Sequence, residues 1–423
     1  MKRLVTAVVL CVLPAVTATG ADTAPPAPPV EALVAQALDR APSLAAARER
    51  VAAAAAVIDA AAVLPDPMLE VSIDNMGLTS WTVGKEEMSM VSVSYLQPLL
   101  YPGKRDARRA AAAAEVAPRE AELDVLRRQV ALEVRTVCAA LYGLDREGAS
   151  LGAARELLDL LTTTVTARYA VGEVDQGAVI KAQLEQTRLD ERLDDLAAER
   201  SALVARLNVL RDLPGDQPLG TVVALPAVGP PPQPWDGEVV AGSPYIAVLR
   251  QELAAAERRV ELARAELKPN LLAGAGLGYR GDFDPAVSLR FGIELPARRD
   301  ANQRARLVGA EREVARLHAE LRAAEAEARG TATRLAAEWR RASAQLERYR
   351  EAILPQTSAA IDAARSSYLA GRGDFSTVLE DFRAWLDARV ELARREGGRY
   401  VVWAQLEALL PEPADSRAQE VNS

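Results

Sequence analysis

Residues 167–183 read ARYAVGEVDQGAVIKAQ, and residues 366–382 read SSYLAGRGDFSTVLEDF. Each is a helical stretch broken by glycine, with a tyrosine before the break and an aspartate after it. Tyr169 answers to Tyr368, Gly172 to Gly371 and Asp175 to Asp374. A glycine just past a helical run is a stop signal, and an aspartate three residues on is a start signal for the next helix. Each stretch therefore predicts a helical-hairpin tip, at about 169–178 and about 368–377.

The correspondence extends outward from the tips. APSLAAARERVAAAAAVIDAAAVLPDPML (41–69) aligns with SPYIAVLRQELAAAERRVELARAELKPNLL (243–272), pairing Pro42 with Pro244, Leu44 with Ile246 and Pro67 with Pro269. LNVLRDLP (207–214) aligns with LEALLPEP (406–413). Self-similarity at a fixed period marks a repeated structural unit. The chain divides into a first repeat at 22–214, a Pro-rich link at 215–242, a second repeat at 243–413 and a short tail at 414–423.

Within each repeat the order is a helix of about twenty residues, two short strands, a long helix, the glycine break and a returning helix. Leu123, Leu126, Val130, Val134, Val137, Leu141 and Leu144 recur at spacings of three and four, the seam of a coiled coil. Pro118 and Pro355 are expected to bend or break the long helices, and Gly397 with Gly398 to soften the last one.

The strands alternate. Leu69, Val71 and Ile73 oppose Glu70, Ser72 and Asp74 over 68–75, and Val91, Val93 and Tyr95 oppose Ser92 and Ser94 over 90–97. In the second repeat, Leu277 and Tyr279 oppose Gly276 and Gly278 over 271–279, and Val287, Leu289, Phe291 and Ile293 oppose Arg290 and Glu294 over 286–294. One reading is an ordinary half-buried hairpin packed on helices. The other is a membrane barrel: each strand has the length of a tilted span. An open sheet in lipid leaves its edges unsatisfied, so three chains of four strands would close one barrel of twelve. Glu70, Asp74, Arg290 and Glu294 would then face a water-filled lumen. Trp81, Tyr95, Tyr101, Tyr279 and Phe283 would sit near strand ends, where interfacial aromatics are favoured.

Composition narrows the function. The 423 residues carry a net charge of -8 with no dense basic block, which argues against nucleic acid. Lys2 and Arg3 precede the apolar run LVTAVVLCVLPAV and then small residues, the pattern of a signal peptide over 1–21. Cys11 leaves with that segment, so Cys138 alone remains and no intrachain disulfide is expected. With His318 the only histidine, the inventory supplies neither zinc sites nor hydrolase machinery, and no cofactor or catalytic activity is expected.

These segments resemble a known family. The repeat, LPDPMLEVSIDN (64–75), SYLQPLLYPGKRDARRA (94–110), LPQTSAAIDAARSSYLAGRGDFSTVLEDFRAWLDAR (354–389) and both Tyr-x-x-Gly breaks are similar to the TolC family of outer-membrane efflux proteins. QPLLYPGKR (97–105) and GRGDFSTVLE (371–380) look most like the branch that serves heavy-metal efflux of the resistance-nodulation-division (RND) type. The resemblance implies a mainly α fold with a membrane β-barrel portion: a homotrimer whose twelve-stranded barrel in the outer membrane continues as a twelve-helix tunnel through the periplasm of a Gram-negative cell. It implies a passive export duct that contacts outer-membrane lipid and works with a periplasmic adaptor and an inner-membrane RND transporter. Tyr169, Gly172, Glu173, Asp175, Tyr368, Gly371, Arg372 and Asp374 would form the periplasmic tips and the adaptor contact. Drug efflux, type I secretion and a periplasmic adaptor are the competing functions.

Several residues have two readings. Glu173, Asp175 and Asp374 form either a cation-favouring ring at the mouth or, for the aspartates, helix caps. Met76, Met88 and Met90 either ligate soft metals or fill apolar contacts. Lys104 and Arg105 are expected at the periplasmic rim of the barrel, where they meet anionic headgroups or water. The sequence assigns a surface or seam position to His318 and a buried apolar one to Cys138.

Overall fold

The computed structural model describes residues 25–78, 80–230, 235–295 and 298–410. The expected signal peptide at 1–21 and the tail at 414–423 lie outside the described residues. The first repeat runs α1 (Val30–Arg40), α2 (Pro42–Ala61), β1 (Met68–Asp74), β2 (Met90–Leu99), α3 (Lys104–Ala114), α4 (Val116–Ala170) and α5 (Gln176–Leu210). The link at 215–242 ends in α6 (Trp235–Gly242), and the second repeat runs α7 (Pro244–Glu266), β3 (Asn270–Arg280), β4 (Phe283–Glu294), α8 (Ala305–Arg348), α9 (Leu354–Leu369) and α10 (Phe375–Leu409).

The 55 residues of α4 give a rod of about 80 Å at the helical rise of 1.5 Å per residue. Shorter helices stack along it. α1 and α2 pack on its upper part, where Leu33, Val34 and Leu44 meet Val130, Val134, Val137 and Leu141. α5 and α10 run down its lower part, where Leu151, Leu158, Leu161 and Val165 meet Leu189, Phe382 and Leu386. The apolar core is thus a series of clusters strung along a rod. The seam spacing produces it, since residues three and four apart share one face.

Each proline acts at a helix boundary. Pro118 lies in the first turn of α4, just after the break at Glu115 that ends α3. Pro355 lies in the first turn of α9, directly after a π-helical turn at Tyr349–Ile353. Proline has no N–H to donate in a helix interior, and a first turn does not need one. The expected soft spot at Gly397 and Gly398 requires correction: α10 is continuous through both. A Cβ on Gly397 would lie 3.0 Å from the Ala139 carbonyl oxygen, so this glycine is where α10 and α4 approach closely.

The four strands form one antiparallel sheet in the order β1-β2-β3-β4. The central β2–β3 pairing, Val93 opposite Leu277 and Tyr95 opposite Ala275, joins the two repeats. Beside the upper part of α4, Ala27 N donates to Thr221 O at 2.9 Å and Thr221 N donates to Pro25 O at 3.0 Å. A Cβ on Gly220 would fall 2.0 Å from the Pro25 carbonyl oxygen. Gly220→Val should therefore expel residues 25–29 from this contact and lose both bonds, about 1–3 kcal/mol at roughly 1 kcal/mol each. Faster proteolysis before Val30, with α4 and α5 intact by circular dichroism, is the expected readout.

Candidate functional site

Two places concentrate the polar chemistry of this rod: the charged face of the sheet and the paired helix tips.

The sheet's two faces differ sharply. Leu69, Val71, Leu277, Tyr279, Val287, Leu289, Phe291 and Ile293 are all exposed, with Phe291 at 83%. On the other face Glu70, Asp74, Arg290 and Glu294 carry the charges. The Arg290 guanidinium, on β4, reaches the Glu70 carboxylate on β1 at 2.8 Å, across both middle strands. Small residues clear that path. A Cβ on Gly276 would meet Ser94 Oγ at 2.4 Å, and one on Gly274 would meet the Tyr95 carbonyl oxygen at 2.7 Å, so β3 has no room for side chains on this face. Asp74 accepts hydrogen bonds from Ser72 and Ser92 at 3.1 and 2.8 Å. Near the helices, Lys104 Nζ donates to Asn270 Oδ1 at 2.7 Å while Asn270 Nδ2 donates to Glu294 at 2.9 Å. Lys104 is buried, which the sequence did not indicate.

At the far end of the rod the two tips repeat one backbone device. Gly172 N donates to Tyr169 O, and Glu173 N to Arg168 O; Gly371 N donates to Tyr368 O, and Arg372 N to Ser367 O. This is a Schellman closure, which needs a left-handed residue at the turn. Gly172 and Gly371 supply it with φ of 77° and 73°. Asp175 then caps α5 by accepting from Ala178 N at 2.9 Å, and Asp374 caps α10 by accepting from Ser376 N at 3.2 Å.

The side chains break the symmetry. Tyr368 is 1% exposed, its ring 5.7 Å from that of Phe375, whereas Tyr169 is 45% exposed. Arg168, which the sequence reading passed over, ties the tips together. It donates to the Tyr368 carbonyl at 2.8 Å, pairs with Glu173 at 2.9 Å, and holds its guanidinium 4.7 Å from the Tyr368 ring centroid. Lys181 adds a second tie, to Ser376 Oγ at 2.9 Å. The only hint lay in the repeat itself: Arg168 aligns with Ser367, a mismatch beside an otherwise matched tyrosine. Arg372 is exposed.

The remaining candidates sit apart. Met76 and Met88 are exposed in the β1–β2 loop, and Met90 packs over Gly278. No group of three or more His, Cys, Asp or Glu among the described residues has the geometry to hold a metal. His318 is on the surface of α8. Cys138 is fully buried, and burial pushes its thiol up to about 12, so it stays protonated. No helix among the described residues is long and apolar enough to cross a membrane.

Residues 237–411 match the family model described as outer membrane efflux protein. The matched stretch takes in α7, β3, β4, α8, α9 and α10. No curated protein matches the chain in sequence. Among solved structures, the outer-membrane channel OprN is similar at TM-score 0.78 and 20% identity, covering 91% of this chain and 90% of that one. The outer membrane protein VceC from Vibrio cholerae gives 0.74 and 18%, over 90% and 95%. CusC, described by its transmembrane channel formation, gives 0.74 and 18%, over 90% and 92%. The likeness in fold spans both halves of the chain.

Proposed function

We propose that the chain assembles as a homotrimer whose twelve-stranded barrel and helical tunnel form the outer-membrane duct of a tripartite pump for heavy-metal cations. The observation that carries the duct is the sheet: apolar and exposed on one face, charged and hydrogen-bonded on the other, with edges at β1 and β4. An open edge in hydrocarbon leaves backbone groups unpaired, at several kcal/mol each, so β1 of one copy pairing with β4 of the next is the arrangement that satisfies them. The helix tips are the parts of each chain farthest from the barrel, which suits them to meet an adaptor and, through it, an inner-membrane transporter.

The metal reading rests on the resemblance of QPLLYPGKR (97–105) and GRGDFSTVLE (371–380) to the heavy-metal branch. The tip charges temper the idea of a bare carboxylate ring. Arg168 pairs with Glu173, and Asp175 and Asp374 serve as caps, but both aspartates are exposed at the tips. Asparagine caps a helix as well as aspartate does, so Asp175→Asn with Asp374→Asn removes charge and keeps the fold. In a planar bilayer the wild-type pore should prefer cations, and the double variant should lose at least half of that preference. Unchanged selectivity would assign the aspartates to capping alone. Folded protein that forms no pore would overturn the duct.

A further inference from the structure

Beside the charged inner face, the opposite face of the sheet carries a built feature. The β1–β2 loop does not project away from the strands but turns back over the sheet. Thr82 and Ser89 lock it internally, both hydroxyls donating to the Asn75 carbonyl, at 3.4 and 2.7 Å. Arg280 donates to the Glu87 carbonyl at 3.3 Å and to Asp284 O at 2.7 Å, tying the loop to the second hairpin. At the crossing, Gly84 lies on Gly281 so closely that a Cβ on Gly281 would fall 2.3 Å from Gly84 Cα. Both glycines have positive φ, 84° and 67°.

Under this loop lies a groove of about 820 Å³, walled by Trp81 and Val83 and floored by Val91, Val93, Leu277 and Tyr279. We infer that this groove is a seat for one acyl chain of a membrane lipid, held at the end of the barrel farthest from the helices. The inference rests on the barrel reading above. Three observations select the occupant. The floor continues, residue for residue, the exposed apolar rows that face lipid, Val93 and Leu277 being register partners. The groove sits on the two central strands, so closure of a trimer through β1 and β4 leaves it uncovered. Asp282 is the only charged residue in its lining, so the lining carries no cation to recognise a phosphate, and the chain of the lipid is what it fits. The groove is open along one side, and its volume falls in the range of clefts that take small ligands.

The test uses full-length protein reconstituted in phosphatidylcholine vesicles, floated, and released from detergent for native mass spectrometry. Wild-type protein should retain one phosphatidylcholine per chain. Leu277→Trp, which fills the floor, should lower retention at least tenfold, and so should Trp81→Ala, which removes a wall without crowding the sheet. Leu289→Trp, on the same apolar face outside the groove, should retain lipid as the wild type does. Wild-type protein that floats but retains nothing overturns the groove alone, as does equal retention in Trp81→Ala. Protein that does not float overturns the barrel.

Discussion

Replacing Arg192 and Arg394 together with methionine should cost about 3–5 kcal/mol per chain, the loss seen when a buried charge is left without partners. Glu147, on α4, has a side chain only 5% exposed. Its carboxylate accepts from Arg192 of α5 at 2.8 Å and from Arg394 of α10 at 3.0 Å. One acid therefore fastens three helices at mid-rod. The two arginines are themselves 34% and 58% exposed, so water can take them back when the acid is removed. The asymmetry makes a second variant informative. Adding Glu147→Met to the double variant should recover most of the loss, because the stranded carboxylate is the costly group. Chemical denaturation in detergent, followed by circular dichroism, reads both. A double variant within about 0.5 kcal/mol of wild type, the range of ordinary surface changes, would mean that the carboxylate reaches water without its partners.

Leu289→Arg should exclude the protein from the outer membrane. Leu289 lies near the middle of β4 on the apolar face, 70% exposed. An arginine on the lipid side of a barrel near the midplane costs about 2–4 kcal/mol, and a trimer would bear it three times. One position along, Arg290 already sits on the other face, paired with Glu70. Arg290→Leu should leave insertion intact, since Glu70 then faces water. Fractionation of cells on a density gradient separates the outcomes. Leu289→Arg found with outer membranes at wild-type level would place that face away from lipid.

The parts of this fold that were legible in the sequence have local causes. Alternation over 286–294 marks a strand because successive side chains leave opposite sides of the backbone. Gly172 and Gly371 mark hairpin tips because a helix that closes through a left-handed residue has glycine there. The period-seven seam from Leu123 to Leu144 marks a long packed helix. Other elements carried no such mark. The short α1 has an ordinary amphipathic sequence and was not separated from the lead-in. Gly397 looks like a weakness in helix propensity, yet it is the contact with Ala139 that α10 requires. Tyr169 and Tyr368 occupy equivalent repeat positions, but one faces water and the other packs against Phe375.

The sequence by itself determined the duplicated module, the order of its elements, the two faces of each strand and the residues at which the helices reverse. Each of these depends on backbone geometry and on neighbours within about one turn or one pleat. The tertiary structure alone decided that Arg290 crosses two strands to Glu70, that Arg168 bridges from one tip to the other, and that Glu147 holds three helices. Those partners are 220, 200 and 45 to 247 residues apart. Their meeting is set by packing across the rod, and no periodicity in the chain encodes it.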